Sequence, residues 1–111
     1  MAVKGKRPPK IDEKQLLQFL DSRPPVNETH HGEGRVLERG IYMADVRNIL
    51  WGELPRWREP SRDRWEPLLG KWSYSFRGKD RDGQELRIVI AIDEGVLLVT
   101  VYNPAHKGER V

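Results

Sequence analysis

The chain has 111 residues and 37% hydrophobic content, which bounds it to one domain with one modest core. It has no cysteine, which excludes a disulfide framework and a thiolate metal site. Its 20 Lys and Arg outnumber 17 Asp and Glu, but Lys4, Lys6, Arg7 and Lys10 lie in an acid-free first ten residues, and the remainder, at 16 against 17, is close to neutral.

The opening MAVKGKRPPK is basic and leads into no apolar run, which predicts neither a signal peptide nor a membrane anchor and points to a cytoplasmic protein. Residues 1–10 read as a disordered basic tail, of which residues 1–9 make no structural contact. Residues 11–104 read as the single domain and 105–111 as a C-terminal tail. Any nucleic-acid binding must come from local clusters, since the high pI belongs mostly to the tail.

Residues 11–25, IDEKQLLQFLDSRPP, predict a helix of about ten residues. Asp12 with Gln15 fits a capping box, Leu16, Leu17, Phe19 and Leu20 form an apolar stripe, and Pro24-Pro25 ends it. In the next stretch, His31, Arg35 and Arg39 recur every fourth residue. On a helix they drift only about 80° and share one cationic face. Val36 and Leu37 turn to the core and Gly40 suits the C-terminal cap, while Gly32 and Gly34 weaken the first turn by about 1 kcal/mol each relative to Ala. A third helix follows over MADVRNILWG, with Met43, Val46, Ile49 and Leu50 at helical spacing and Gly52 as its cap.

The stretch ELPRWREPSRDRWEPLLG shows no clear period and reads as a long connection with a helical turn near Trp65. Around it Trp51, Trp57, Trp65 and Trp72 interleave with Arg56, Arg58, Arg62 and Arg64. Either these residues stack bases and grip phosphates, or the tryptophans roof the core and the arginines stack on them.

Alternation and short turns then predict three strands over 72–77, 84–93 and 96–102, joined as an antiparallel meander. Leu86, Ile88, Ile90 and Ile92 share the buried face. By the same parity, Thr100 and Tyr102 share a face with Val96 and Leu98. Helices followed by a meander make the fold class α+β, with two or three helices packed on one face of a small antiparallel sheet.

His31, Arg35, Arg39-Gly40-Ile41, Asp45-Val46 and Val99-Thr100-Val101-Tyr102 resemble a bacterial domain family of unknown function. In that family a His-Ala-x-x-Arg-x-x-x-Arg-Gly-Ile helix precedes an Asp-Val helix and a meander ending Val-Thr-Val-Tyr. The resemblance spans roughly residues 28 to 103, with Gly32 in place of the usual Ala. That family is in turn similar to RelE/ParE-type toxins and, more remotely, to barnase-like ribonucleases. The resemblance implies a RelE-like or barnase-like fold and a toxin-type endoribonuclease that cleaves RNA without metal or other cofactor, with an antitoxin-like protein partner. No DNA specificity is implied.

Such cleavage needs a proton acceptor, a proton donor and cations at the developing phosphate charge. The resemblance assigns His31 the proton transfers. Arg35 and Arg39 supply forked donors, and Thr100 and Tyr102 contribute from the sheet. Arg77, Arg87 and Arg58 are the further candidates for gripping RNA. Bland readings stand beside each of these. His31 is otherwise a cap or surface residue, Arg35 and Arg39 otherwise pair with Glu33 and Glu38, and Thr100 and Tyr102 are otherwise core edge. His30, His31 and His106 have no carboxylate at ligand spacing beside them, so no metal site is assigned. The alternative function is a non-catalytic RNA- or protein-binding module on the same fold.

Overall fold

The computed structural model describes residues 7–28 and 41–104. The expected helix carrying His31, Arg35 and Arg39 lies outside the described residues. Among the described residues the chain forms two helices and six strands, an α+β fold.

Helix α1 spans Glu13–Asp21. The Asp12 side chain accepts from the backbone N–H groups of Lys14 (3.1 Å) and Gln15 (3.4 Å), which satisfies two donors that the first turn leaves without helical partners. Helix α2 spans Met43–Leu50 and stops where Gly52 takes φ = +84°, a left-handed conformation that glycine adopts without a steric penalty. Leu16 and Leu20 from α1 and Val46, Ile49 and Leu50 from α2 are buried in one cluster, so both helices cover the same face of the sheet. No helix of the described residues is long and apolar enough to cross a membrane.

The expected meander is present as β4 (Lys71–Lys79), β5 (Glu85–Ile92) and β6 (Val96–Tyr102), all antiparallel. Leu86, Ile88 and Ile90 are fully buried against the helices, with Ile92 packed at the margin of the core. At the β4–β5 reversal, Asp80 Oδ1 accepts from the N–H groups of Asp82 and Gln84.

The sheet is larger and more mixed than a three-stranded meander. Strand β1 (Val26–Glu28) adds in parallel to β6. The Pro/Arg/Trp stretch, expected to be a connection, supplies β2 (Arg56–Arg58) and β3 (Arg64–Glu66), both antiparallel to β4, with a 3-10 turn at Pro60–Arg62 between them. Three-residue strands are too short to show a period. They form here because β4 offers an edge of backbone groups that must be paired.

Strands β2 and β3 leave a gap on that edge at Ser75, which the Glu59 N–H, donating to Ser75 O at 3.0 Å, and two side chains fill. The Asp63 carboxylate accepts from Ser75 N–H at 2.9 Å, while Arg58 Nη1 donates to Ser75 O at 3.0 Å.

Gly78 of β4 lets α2 approach closely, since a Cβ there would lie 2.4 Å from Ile49 Cγ2 and 2.9 Å from Pro55 O. Residues 1–9 were expected to make no contact, but Arg7 and Pro8 do, and Lys10 beside them does as well. Trp72 Nε1 donates to Pro8 O at 2.7 Å, Lys10 Nζ reaches Asp63 Oδ2 at 3.1 Å, and Arg7 lies 5.8 Å from the Trp65 ring centroid. Half-exposed aromatic faces on β3 and β4 attract these cations, and composition alone does not reveal such faces.

Candidate functional site

Strand parity decides which side chains share the sheet face that the two helices leave uncovered. On β5 the buried Leu86, Ile88 and Ile90 alternate with Arg87, Val89 and Ala91. On β6 the alternation breaks. Val89 pairs with Thr100 but Ile90 pairs with Leu98, so Val99 is an extra residue, a β-bulge. Before it Val96 and Leu98 face the core; after it Val101 does. Thr100 and Tyr102 therefore lie on the face opposite Val96 and Leu98, contrary to the parity expectation. A bulge has no signature in an apolar run such as VLLVTV, and one extra residue reverses every side chain beyond it.

Cross-strand pairs then arrange this outer face in rows. One row runs Trp57–Arg77–Arg87–Tyr102 across β2, β4, β5 and β6. The next holds Ser75, Val89 and Thr100, and a third Arg64, Ser73, Ala91 and Leu97. Over the second and third rows, residues 61–64 form a wall and enclose a cleft of about 420 Å³. Its lining includes Arg62, Arg64, Glu66, Ser73, Ser75, Val89 and Thr100. The Ser73 and Ser75 hydroxyls are tied to the Arg64 and Arg62 carbonyls at 3.2 and 3.4 Å, which fixes that wall to β4.

The cations of this face are not equivalent. Arg87 Nη1 is 2.9 Å from Glu59 Oε1, which also lies 3.8 Å from Arg62 Nε. The Glu59 carboxylate thus occupies the position an external anion would take between two guanidinium groups. Arg77 has no ion pair among the described residues. Its guanidinium carbon sits 5.1 Å from the Trp57 centroid, and its buried Nε has no hydrogen-bond partner among the described residues. Trp57 itself is 42% exposed and presents a ring to solvent at the end of the row.

The candidate residues from the sequence divide into three groups. His31, Arg35 and Arg39 lie outside the described residues. Thr100, Tyr102, Arg77 and Arg87 come together on the outer face.

Arg58 goes to the opposite face. It stacks on Phe76 and Tyr74, with its guanidinium carbon 5.1 and 5.8 Å from their centroids, and its nitrogens are engaged by Asp63, Glu13 and Ser75 O. Burial by itself would lower the Arg58 pKa, but the hydrogen bonds and charges of Asp63 and Glu13 outweigh it and hold the group above its ordinary value. Burial would likewise raise Asp63, but hydrogen bonds from Arg58, Ser75 N–H and Lys10, with the charge of Arg58, keep that carboxyl below its ordinary value. Arg58 belongs to the seam of the sheet. It paired with an acid five residues away because the 3-10 turn folds Asp63 back onto it, a contact the spacing does not announce.

Sequence reasoning missed Glu59, Ser73 and Ser75, since their relevance depends on how β2 and β3 meet β4. Among the stacked arginines, the rings under Arg7, Arg23 and Arg77 are Trp65, Trp51 and Trp57. Tryptophans do carry cations, then, but ones from outside the loop that was expected to supply them. Among the described residues no group of three or more His, Cys, Asp or Glu is placed to hold a metal ion. The outer face can bind an anion at Arg77, stack a planar ring on Trp57, and seat a polar group in the adjoining cleft.

Neither a family model, nor a curated protein, nor a solved structure matches the chain.

Proposed function

We propose that the outer face of the sheet binds single-stranded RNA. The observation that carries this reading is the row Trp57–Arg77–Arg87–Tyr102, in which a cation without an ion pair among the described residues stands beside an exposed aromatic ring, one row from the polar cleft. Exposed rings stack bases whatever their identity, and guanidinium forks grip the phosphates between them. Beyond the first ten residues the chain holds 16 Lys and Arg against 17 Asp and Glu, so this binding rests on local placement rather than net charge.

The stronger form of the proposal is RNA cleavage of the RelE-like toxin type. A 2′-hydroxyl attacks the adjacent phosphorus, the bond to the 5′-oxygen breaks, and a cyclic phosphate remains. His31 takes the proton from the 2′-hydroxyl, water protonates the leaving 5′-oxygen, and Arg35 and Arg39 stabilise the phosphorane charge with Arg77. A small antitoxin-like protein would hold such an enzyme in check.

A gel assay of the purified chain on labelled single-stranded RNA, with chelator present, tests both forms. Cleavage lost in His31→Ala supports the enzyme. Binding without cleavage, weakened by Arg77→Ala with a shallower salt dependence, supports the binding module. No cleavage and no binding at low salt overturns the RNA reading and leaves a protein-interaction module.

A further inference from the structure

Where β3 meets β4, away from the outer face, two tryptophans carry the chain's own basic segment. Trp65 and Trp72 are cross-strand partners whose rings meet edge to face, with centroids 5.9 Å apart and planes at 75°. Against them lies the segment Arg7-Pro8-Pro9-Lys10. The Trp72 indole N–H donates to the Pro8 carbonyl at 2.7 Å. The Arg7 guanidinium carbon is 5.8 Å from the Trp65 centroid and Lys10 Nζ 5.8 Å from the Trp72 centroid, with Lys10 also 3.1 Å from Asp63.

Each contact reads a property that a proline-bearing basic segment has and an ordinary loop lacks. Consecutive prolines restrict φ and favour the polyproline II conformation, whose backbone carbonyls are left without internal hydrogen bonds. Trp72 uses one of them. Three residues make one turn of that helix, so cations at the first and fourth positions project on the same side, roughly 9 Å apart. Two rings and a carboxylate wait there. Pairing of an aromatic-lined groove with a preformed proline segment is an established mode of peptide recognition, cheap because the segment loses little entropy on binding.

We propose that the Trp65–Trp72 pair is a docking site for a basic, proline-bearing peptide of a partner protein, and that residues 7–10 occupy it in cis. The tethered segment acts at an effective concentration of order millimolar, so a partner displaces it only with a better or multivalent match. This assignment stands independently of RNA binding.

The test uses the full chain and a synthetic peptide of residues 1–10, with the Trp72 indole N–H resonance as the readout and Trp72→Phe for its assignment. The double variant Arg7→Ala/Lys10→Ala loosens the tethered segment. It should bind the peptide at least about tenfold more tightly than the wild-type chain, with the Trp72 resonance returning to its wild-type position. A peptide with both prolines replaced by alanine, which requires no change in the protein, should lose that binding by about tenfold. Equal affinity for the proline and alanine peptides, or no gain in the loosened chain, overturns the proposal and leaves residues 7–10 as a structural arm.

Discussion

Asp63→Asn tests the account of how the sheet is closed along β4. The Asp63 side chain is 1% exposed. It accepts two nitrogens of Arg58, at 3.0 and 2.7 Å, the N–H of Ser75 at 2.9 Å and Lys10 at 3.1 Å. Removing one partner of a buried ion pair costs about 3–5 kcal/mol, because the remaining charge is left uncompensated. Two features pull this case to the lower end. Glu13 stays 2.9 Å from Arg58 Nε, and an asparagine oxygen can still accept from Ser75. The expected loss is about 3 kcal/mol, or about 1–3 M in urea midpoint for slopes of about 1–3 kcal/mol per M. Urea unfolding followed by tryptophan fluorescence at neutral pH measures it. Glu13→Gln, at a 48% exposed position, should cost about 1 kcal/mol or less.

The pH dependence has a definite sign. The folded Asp63 carboxyl lies below its ordinary value of 3.8, so its stabilisation is complete well above that pH and is lost as pH falls through the lower folded value. The gap between wild type and Asp63→Asn should therefore narrow with acidification below about pH 4. A loss under about 1 kcal/mol at neutral pH, with unchanged slope, would refute the idea that this ion pair closes the gap between β2 and β3.

Gly78→Ala should cost about 2–3 kcal/mol in the same unfolding assay, because the added Cβ meets Ile49 Cγ2 at 2.4 Å and backbone at 2.9 Å. Arg81→Ala should lower stability by about 1–3 kcal/mol, beyond an ordinary surface change, since it leaves the 2% exposed Asp45 without the guanidinium 2.9 Å away; thermal unfolding reads this. Glu59→Gln should tighten RNA binding several-fold at low salt and steepen its salt dependence in a filter assay, because Arg87 and Arg62 lose the carboxylate that neutralises them.

Much of this fold could be read along the chain. The Asp12 cap, the end of α1 before Pro24, the close of α2 at Gly52 and the alternation through Leu86, Ile88 and Ile90 are local or periodic signals, and each element formed where they pointed. Burial of one strand face against helices follows from the same pattern, which made the α+β class legible.

The candidate site was legible only in part. Arg77 and Arg87 were recognisable as outward positions on strands whose parity holds from end to end. Thr100 and Tyr102 were named, but on the wrong face, because the bulge at Val99 is a decision of strand pairing.

Strands β1, β2 and β3 belong wholly to tertiary structure. Three residues carry too little period to declare themselves, and they become strands because β6 and β4 offer edges whose N–H and C=O groups need partners. The same is true of the Arg58–Asp63 seam, the Glu59–Arg87 pair and the proline segment on Trp65 and Trp72. Local propensity acts over a few residues, whereas these contacts join positions that only the closed sheet brings within hydrogen-bonding distance.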